Sequence, residues 1–395
     1  MQEIILLNAR QAADRLGIKL DTLYAYVSRG RLRSVGVAGS RERRYRVDDI
    51  EALLAMRAGD RLERATDAEV LMPMIGSSIC LIENGRFYYR GEDAVRLSEA
   101  ATVEEVAALL WRAETTSGPD VDQPVSFSST RDMAASGLIE RCQIRLAWMA
   151  DKDLPALDLT RGGVIRTGRR ILRELAAGIA LIAPSSEPIH RQLAAAWGLD
   201  AARADILRRC LVLIADHELN ASTFVARCVA STGATPYAVV AAALSALSGR
   251  RHGGASARAE ALFAEIARGG DPMAVMAGRL ARGEGLPAFG HFLYPEGDPR
   301  AAAILDAVAR VLPETRALIA AAAAAGTRLT GRHPNVDFAL AAAASSLGLP
   351  QNTALALFVI GRTVGWIAHA IEQYESGILI RPRARYLGPQ PQEAR

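Results

Sequence analysis

The stretch Ala215-Asp216-His217-Glu218-Leu219-Asn220-Ala221-Ser222-Thr223 puts a histidine between two carboxylates, then an asparagine and two hydroxyls, in an alanine-rich neighbourhood. Polar groups buried without partners cost roughly 1–3 kcal/mol each. A fold that accepts this segment must therefore bring partners to it from elsewhere in the chain. The body from about residue 68 onward reads as one structure built around it. The first sixty residues read as something separate.

Half of the 395 residues are apolar and only 5% are aromatic, with alanine at many of the apolar positions. That mix suits closely packed helices, and the length allows two or three domains. Cys80, Cys142, Cys210 and Cys228 lie far apart with no CxxC pair. A disulfide framework or zinc site is not expected, and a reducing, cytoplasmic setting is. The amino terminus turns polar too soon for a secretory signal. No run approaches the roughly 20 apolar residues of a bilayer span, and Val239–Leu247 and Ala317–Ala325 read as buried helix segments. A soluble protein is expected.

The basic character belongs to the head: residues 1–64 hold 13 Lys/Arg against 9 Asp/Glu, a surplus equal to the +4 of the whole chain. Asn8 suits the cap of a short helix, Ala9–Leu16, ended by Gly17. Asp21 is expected to cap a second helix through Arg29, stopped by Gly30, with Leu16, Leu23 and Val27 facing one another. Ser34-Val35-Gly36-Val37, a turn at Gly39-Ser40 and Arg44-Tyr45-Arg46-Val47 predict a β-wing. Asp48 and Glu51 then form a capping pair for a third helix, Asp49–Arg57. This order resembles the winged helix-turn-helix of the MerR and excisionase type. The resemblance implies DNA as a partner, with Thr22, Tyr24, Tyr26 and Arg29 toward a groove and Arg41, Arg43, Arg44 and Arg46 toward phosphates. The alternative is a docking or oligomerisation module. Residues 60–70 read as the connection.

In the body, Ile79–Gly91 holds two short apolar runs around Asn84-Gly85, a strong signal for a type I′ hairpin. It is nearly the only β signal there. Thr102–Ala113 reads as a helix with a Thr102/Glu105 capping box, and Ser117–Thr130 as loop. Further helices are expected at about 131–150, 168–183, 188–197 and 200–215. No period repeats. The body is predicted to be all-α.

Three of the six histidines stand beside residues suited to an anionic pocket. His217 lies in the opening segment. His252 begins His-Gly-Gly-Ala, where glycines permit close backbone approach and the following helix, Ser256–Ala267, offers free N–H groups. His291 lies in Phe289-Gly290-His291, followed by Arg300 and by Asp337 ahead of an alanine-rich helix. Arg362, in Gly361–His369, and Arg381, in Arg381-Pro382-Arg383, suit bidentate carboxylate binding. Each has a plainer reading as a core histidine, an N-cap or a dipole partner. A metal is not expected, because Asp216, His217 and Glu218 are adjacent and no HExxH follows.

Taken in order, Tyr89-Arg90-Gly91, ADHELNAST, HGGA, FGH with DPRA, PNVDF, GRTVGWIAH and RPR resemble the citrate synthase family over about residues 70–388. The resemblance implies an all-α, two-domain helical fold. A large domain (71–254 and 346–388) would carry a smaller closing domain (255–345), preceded by the winged helix-turn-helix domain (1–60) and a linker (61–70). It implies condensation of acetyl-CoA with oxaloacetate and thioester hydrolysis to citrate and CoA, as in the tricarboxylic acid cycle, with no cofactor. Asp337 would be the base, His252 the enolate stabiliser and His291 the acid. His217, Arg300 and Arg362 would hold the oxaloacetate carboxylates, and Arg381 would reach across a homodimer or higher oligomer. The chain departs from the family pattern at Phe292, where a basic residue is usual, at Ser256, where asparagine is common, and at His333. These bear on the acyl donor, so 2-methylcitrate synthesis from propionyl-CoA is one alternative. A DNA-bound sensor of a metabolite is another.

Overall fold

The computed structural model describes residues 6–16, 18–28, 32, 34–36, 43–46, 49–50, 75–113, 136–384 and 388. The chain divides into two units, Met1–Ile75 and Gly76–Arg395.

In the smaller unit Asn8 and Gln11 close a reciprocal box, each backbone N–H donating to the other's side chain at 2.9 and 3.0 Å. This starts α1, Ala9–Leu16, which is followed by α2, Leu20–Ser28. Strands β1 (Leu6–Leu7), β2 (Val35–Gly36) and β3 (Arg43–Arg46) form an antiparallel sheet in the order β1-β3-β2. Leu16, Leu23, Tyr45 and Ile50 make its core, with Val27 packed against them. Asp21 does not cap α2: the helix begins at Leu20, two residues before the expected start, after Lys19, whose carbonyl accepts from Thr22 and Leu23. Tyr26 also differs from its expected role, because its ring packs on this core. Tyr24 is 52% exposed. Gly17, Arg29, Gly30, the Gly39-Ser40 turn, Arg41, the Asp48/Glu51 pair, all but the first two residues of the third helix, and the 61–70 connection lie outside the described residues.

The larger unit opens with a second antiparallel sheet of β4 (Cys80–Glu83), β5 (Arg86–Tyr89) and β6 (Glu92–Asp93). Glu83 pairs with Arg86 across Asn84 and Gly85, both at positive φ (52° and 72°), as the type I′ turn requires. Asp93 caps α3 (Ala94–Ala100), and the predicted Thr102/Glu105 box caps α4 (Val103–Trp111). The Ser117–Thr130 loop lies outside the described residues.

Next come α5 (Leu138–Lys152), α6 (Arg161–Ala180), α7 (Ile189–Ala196) and α8 (Ala201–Leu213). Helix α6 begins seven residues before the expected start, because Thr160 supplies a cap and Gly163 is no breaker there. A Cβ on Gly163 would lie 2.2 Å from the Asp158 carbonyl, so the bare backbone lets the helix start against that turn. The remaining helices are α9 (Ala221–Ala230), α10 (Pro236–Leu247), α11 (Gly254–Ala267), α12 (Pro272–Ala281), α13 (Pro299–Val311), α14 (Arg316–Thr330), α15 (Val336–Ser346) and α16 (Thr353–Ser376).

Helix α16 is the axis of this unit and packs against α4, α6, α8, α9, α10, α11 and α15. Its 24 residues are long and apolar enough on average to cross a bilayer, although Arg362 interrupts the apolar run, and 94% of its apolar window is buried inside the protein. A helix enclosed by other helices is apolar all round for the same reason as a membrane span. Two glycines fix how closely it approaches α8. A Cβ on Gly361 would meet Ile214 at 2.5 Å, and one on Gly365 would meet Asp216 Oδ1 at 2.4 Å. The Gly365 N–H donates to the Ala215 carbonyl at 2.9 Å. The core helix is thereby joined to the polar segment with which the sequence reading began.

Candidate active site

The segment after α8 forms a floor, and its polar side chains are spent on structure. Asn220 caps α9 by accepting from the Thr223 N–H at 3.0 Å. Asp216, fully buried, accepts from the Glu218 N–H and stands 3.2 Å from His369 Nε2. Arg227 donates to the other nitrogen of His369, and to Gln373 and Glu372. Tyr89, on the hairpin, donates to the Val212 carbonyl and accepts from the Asp216 N–H. His217 Nε2 meets the Tyr294 hydroxyl at 2.9 Å.

Two groups of polar side chains converge above this floor. In the first, the His217 and His291 rings meet edge to face at 5.1 Å. Arg300 is buried and bound twice to Asp298, at 2.9 and 2.7 Å. Asp298 also accepts the Val336 N–H at 3.0 Å, which fixes α15 against the start of α13. Arg362, on α16, donates through Nε to the Ile214 carbonyl at 2.9 Å, while its buried Nη1 has no hydrogen-bond partner among the described residues. A buried guanidinium N–H left over in a pocket is a donor available to a carboxylate.

The second group holds His252 and Asp337. His252 Nε2 lies 2.8 Å from the Ser222 hydroxyl, which also accepts from Trp366 Nε1 at 3.2 Å. Both His252 and Arg362 rest on Phe358, at 6.0 and 4.7 Å from its ring centre. Asp337 sits in the first turn of α15, behind the Asn335 cap. Asn335 also donates to the Gly290 carbonyl at 3.0 Å, tying this turn to the loop that carries His291. Ser256, one turn into α11, donates its hydroxyl to Asp337 Oδ1.

The titrations follow from this geometry. Burial, reinforced by Arg362, pulls His252 down to about 4. Burial and Arg300 pull His291 down to about 4, and burial holds His217 well below its usual value. All three imidazoles are neutral at pH 7. Burial raises Asp337 above the usual carboxylate range, against the Ser256 hydrogen bond and Arg300. Burial also pushes Asp298 up, but the ion pair with Arg300 outweighs it and holds the carboxyl low.

Of the residues singled out from sequence, His217, His252, His291, Arg300, Arg362 and Asp337 are gathered by the fold. Arg381 lies exposed on the tail after α16. Arg43, Arg44 and Arg46 lie on β3 of the head, where Arg43 donates to Ser34 at 2.8 Å. Sequence reasoning missed Ser222, Tyr294, Asp298 and Ser256 as partners. Their only signal was adjacency to the motif residues. Among the described residues there is no group of three or more His, Cys, Asp or Glu suited to a metal.

Neutral imidazoles, two buried arginines and one basic carboxylate define a helical protein equipped to hold a small polyanion beside a proton acceptor. The comparisons with known proteins agree with that class. The family model described as citrate synthase, C-terminal domain, matches residues 165–383, and a helix-turn-helix domain matches residues 6–58. The chain belongs to the citrate synthase family. A Mycobacterium tuberculosis relative is 43% identical over 187 residues, which is 46% of this chain and 50% of the relative. The chain thus spans about half the length of that relative. The citrate synthase of Haloferax volcanii is 31% identical over 343 residues, covering 77% of this chain and 90% of the relative. A 2-methylcitrate synthase of Mycobacterium tuberculosis is 30% identical over 342 residues, covering 76% and 84%. The citrate synthase of Thermoplasma acidophilum, solved with carboxymethyl coenzyme A and oxaloacetate, superposes with a TM-score of 0.66 at 25% identity, covering 82% of this chain and 96% of that one.

Proposed function

We propose that the body condenses an acyl-CoA with oxaloacetate and hydrolyses the resulting thioester, with acetyl-CoA as donor and citrate and CoA as products. Asp337 takes a methyl proton from the thioester. His252 donates a hydrogen bond to the thioester oxygen as charge develops on it. The methyl carbon then bonds to the ketone carbon of oxaloacetate, and His291 protonates the new alkoxide. His217, Arg300 and Arg362 hold the oxaloacetate carboxylates. Water cleaves the thioester and releases the CoA thiol. The observation that carries this reading is the pairing of one carboxyl of raised pKa with two neutral histidines beside buried arginines.

Residues 255–345 act as a small domain closing on a large one, which excludes water during condensation. Arg381 completes the site of a neighbouring subunit in a homodimer or larger oligomer, and the protein works in the cytoplasm. No resident cofactor enters the scheme. Propionyl-CoA is the second candidate donor, supported by the 2-methylcitrate synthase relative. The test is CoA release from acetyl-, propionyl- and longer acyl-CoA with oxaloacetate, for wild type and Asp337→Ala. Turnover is expected in wild type and lost in the variant with oxaloacetate binding retained. A wild type silent on every acyl-CoA overturns the enzyme reading in favour of a metabolite sensor.

For the head, the reading is DNA binding through Tyr24, which is exposed, together with Arg29, Arg41, Arg43, Arg44 and Arg46. The matching helix-turn-helix domain and seven arginines against one acid in residues 29–46 support it. DNA affinity is expected to fall steeply with salt. No binding at low salt would remove DNA as the partner.

A further inference from the structure

We infer that Ser256 is the positioning residue for Asp337, holding one carboxylate oxygen so that the other is aimed at the substrate proton. The inference rests on the condensation reading above and adds a residue to it. Ser256 is fully buried and lies at the head of α11, one turn after His252. Its hydroxyl donates to Asp337 Oδ1 at 2.5 Å. The asparagine common in the family at this position is longer and branched, whereas serine reaches the carboxylate with a single, short arm. One hydrogen bond therefore couples the helix that follows His252 to the helix that carries the base, and α11 packs along α15 over much of its length.

The charged groups facing Asp337 come from both neighbouring helices. Arg258 stands on α11, and Asp298 and Arg300 stand at the start of α13. Arg300 is already paired twice with Asp298, so much of its charge is compensated. Arg362, on α16, faces His252 and the floor. Burial makes the carboxyl a stronger base, and the Ser256 hydroxyl opposes burial. Without that hydroxyl both oxygens are free, the ionised form loses its closest donor, and the carboxyl protonates at higher pH. Ser256 thus sets both which oxygen works and the pH at which it is charged.

The experiment compares wild type, Ser256→Ala and Ser256→Thr in two readouts. One is the pH profile of kcat with acetyl-CoA and oxaloacetate. The other is the Asp337 carboxyl titration followed by carbon-13 NMR, which does not depend on turnover. For Ser256→Ala the acidic limb and the carboxyl titration are expected to move up by about 1–2 pH units, the size of a hydrogen bond lost from a charged group. kcat on the plateau is expected to fall about tenfold, with KM for oxaloacetate unchanged. Ser256→Thr keeps the hydroxyl and should restore both midpoints. An unmoved carboxyl titration in folded Ser256→Ala overturns the inference. Absence of CoA release from wild type overturns the reaction reading instead, so the two failures are told apart.

Discussion

The Ser222 hydroxyl stands 2.8 Å from His252 Nε2 and 2.9 Å from Asn220 Oδ1, so one proton has two acceptors. Given to Asn220, it leaves His252 to donate through Nε2. Given to His252, it makes Nε2 an acceptor and puts the ring proton on Nδ1, free to donate elsewhere. In the proposed reaction the second arrangement leaves Nδ1–H as the donor to the thioester oxygen. Ser222→Ala is expected to lower kcat about 10- to 100-fold, in the range of losing one aligned donor. Oxaloacetate affinity should stay within about twofold, because the carboxylate-binding groups are untouched. Steady-state kinetics with calorimetric titration of oxaloacetate check this; a loss confined to affinity contradicts it.

Asp298 serves Arg300 and α15 at once. Removing one partner of a buried ion pair leaves an uncompensated charge and costs about 3–5 kcal/mol. Asp298→Ala is therefore expected to destabilise the body by about that much. It should also raise KM for oxaloacetate, because Arg300 loses the group that orients it. Urea unfolding and steady-state kinetics measure the two effects. A stable variant with normal KM would show that the pair is dispensable.

The neutral histidines make stability depend on pH. His252 and His291 fall from about 6.5 unfolded to about 4 folded, so the unfolded chain binds their protons first. Their contribution is complete above pH 6.5 and is lost as pH drops through that window toward 4. The loss is about 3 kcal/mol each at most. Asp337 and Glu218, raised by burial, have the opposite sign and offset part of it, because their cost is relieved as they protonate. Chemical unfolding at pH 7 and pH 5 should show lower stability at pH 5. His252→Gln with His291→Gln should flatten the difference, and a wild type equally stable at both pH values argues against the assignment.

Gly365 is a steric requirement. A methyl there would overlap Asp216 Oδ1 and the Ala215 carbonyl, at 2.4 and 2.5 Å. Overpacking of this kind costs about 1–3 kcal/mol, and backbone is the less yielding neighbour. Gly365→Ala is expected to lower Tm by several degrees and to weaken oxaloacetate binding, since Arg362 is anchored on the same segment through Ile214. Calorimetry on the folded variant tests both. Unchanged Tm would mean that the floor can shift.

The signals legible in sequence were local ones. The Asn84-Gly85 turn, the Thr102/Glu105 box and the Asn8 cap are each determined within four residues, and each is found as predicted. The ordered motifs also named residues that the fold brings near one another, such as His217 beside His291. Partners distant in sequence were not legible. Tyr294 on His217 spans 77 residues, and Ser256 on Asp337 spans 81. No periodicity encodes such pairings. Asp21 was judged a cap by residue type and the start of α6 was set seven residues late, while the decision lay in what the backbone had to approach.

The glycine contact between α16 and the segment after α8 gives the candidate site a frozen wall and a tunable one. The frozen wall is made of core backbone, so mutations there are tested first by folding and only afterwards by chemistry. The opposite wall, from α11 to α15, holds Asp337 through a single hydroxyl and a cap that can be exchanged one at a time. On that side the exposed ring of Phe292 stacks on His291. A library that tests the proposed choice of acyl donor should leave Gly361, Gly365 and Ser256 alone and spend its diversity on residues 292 and 333.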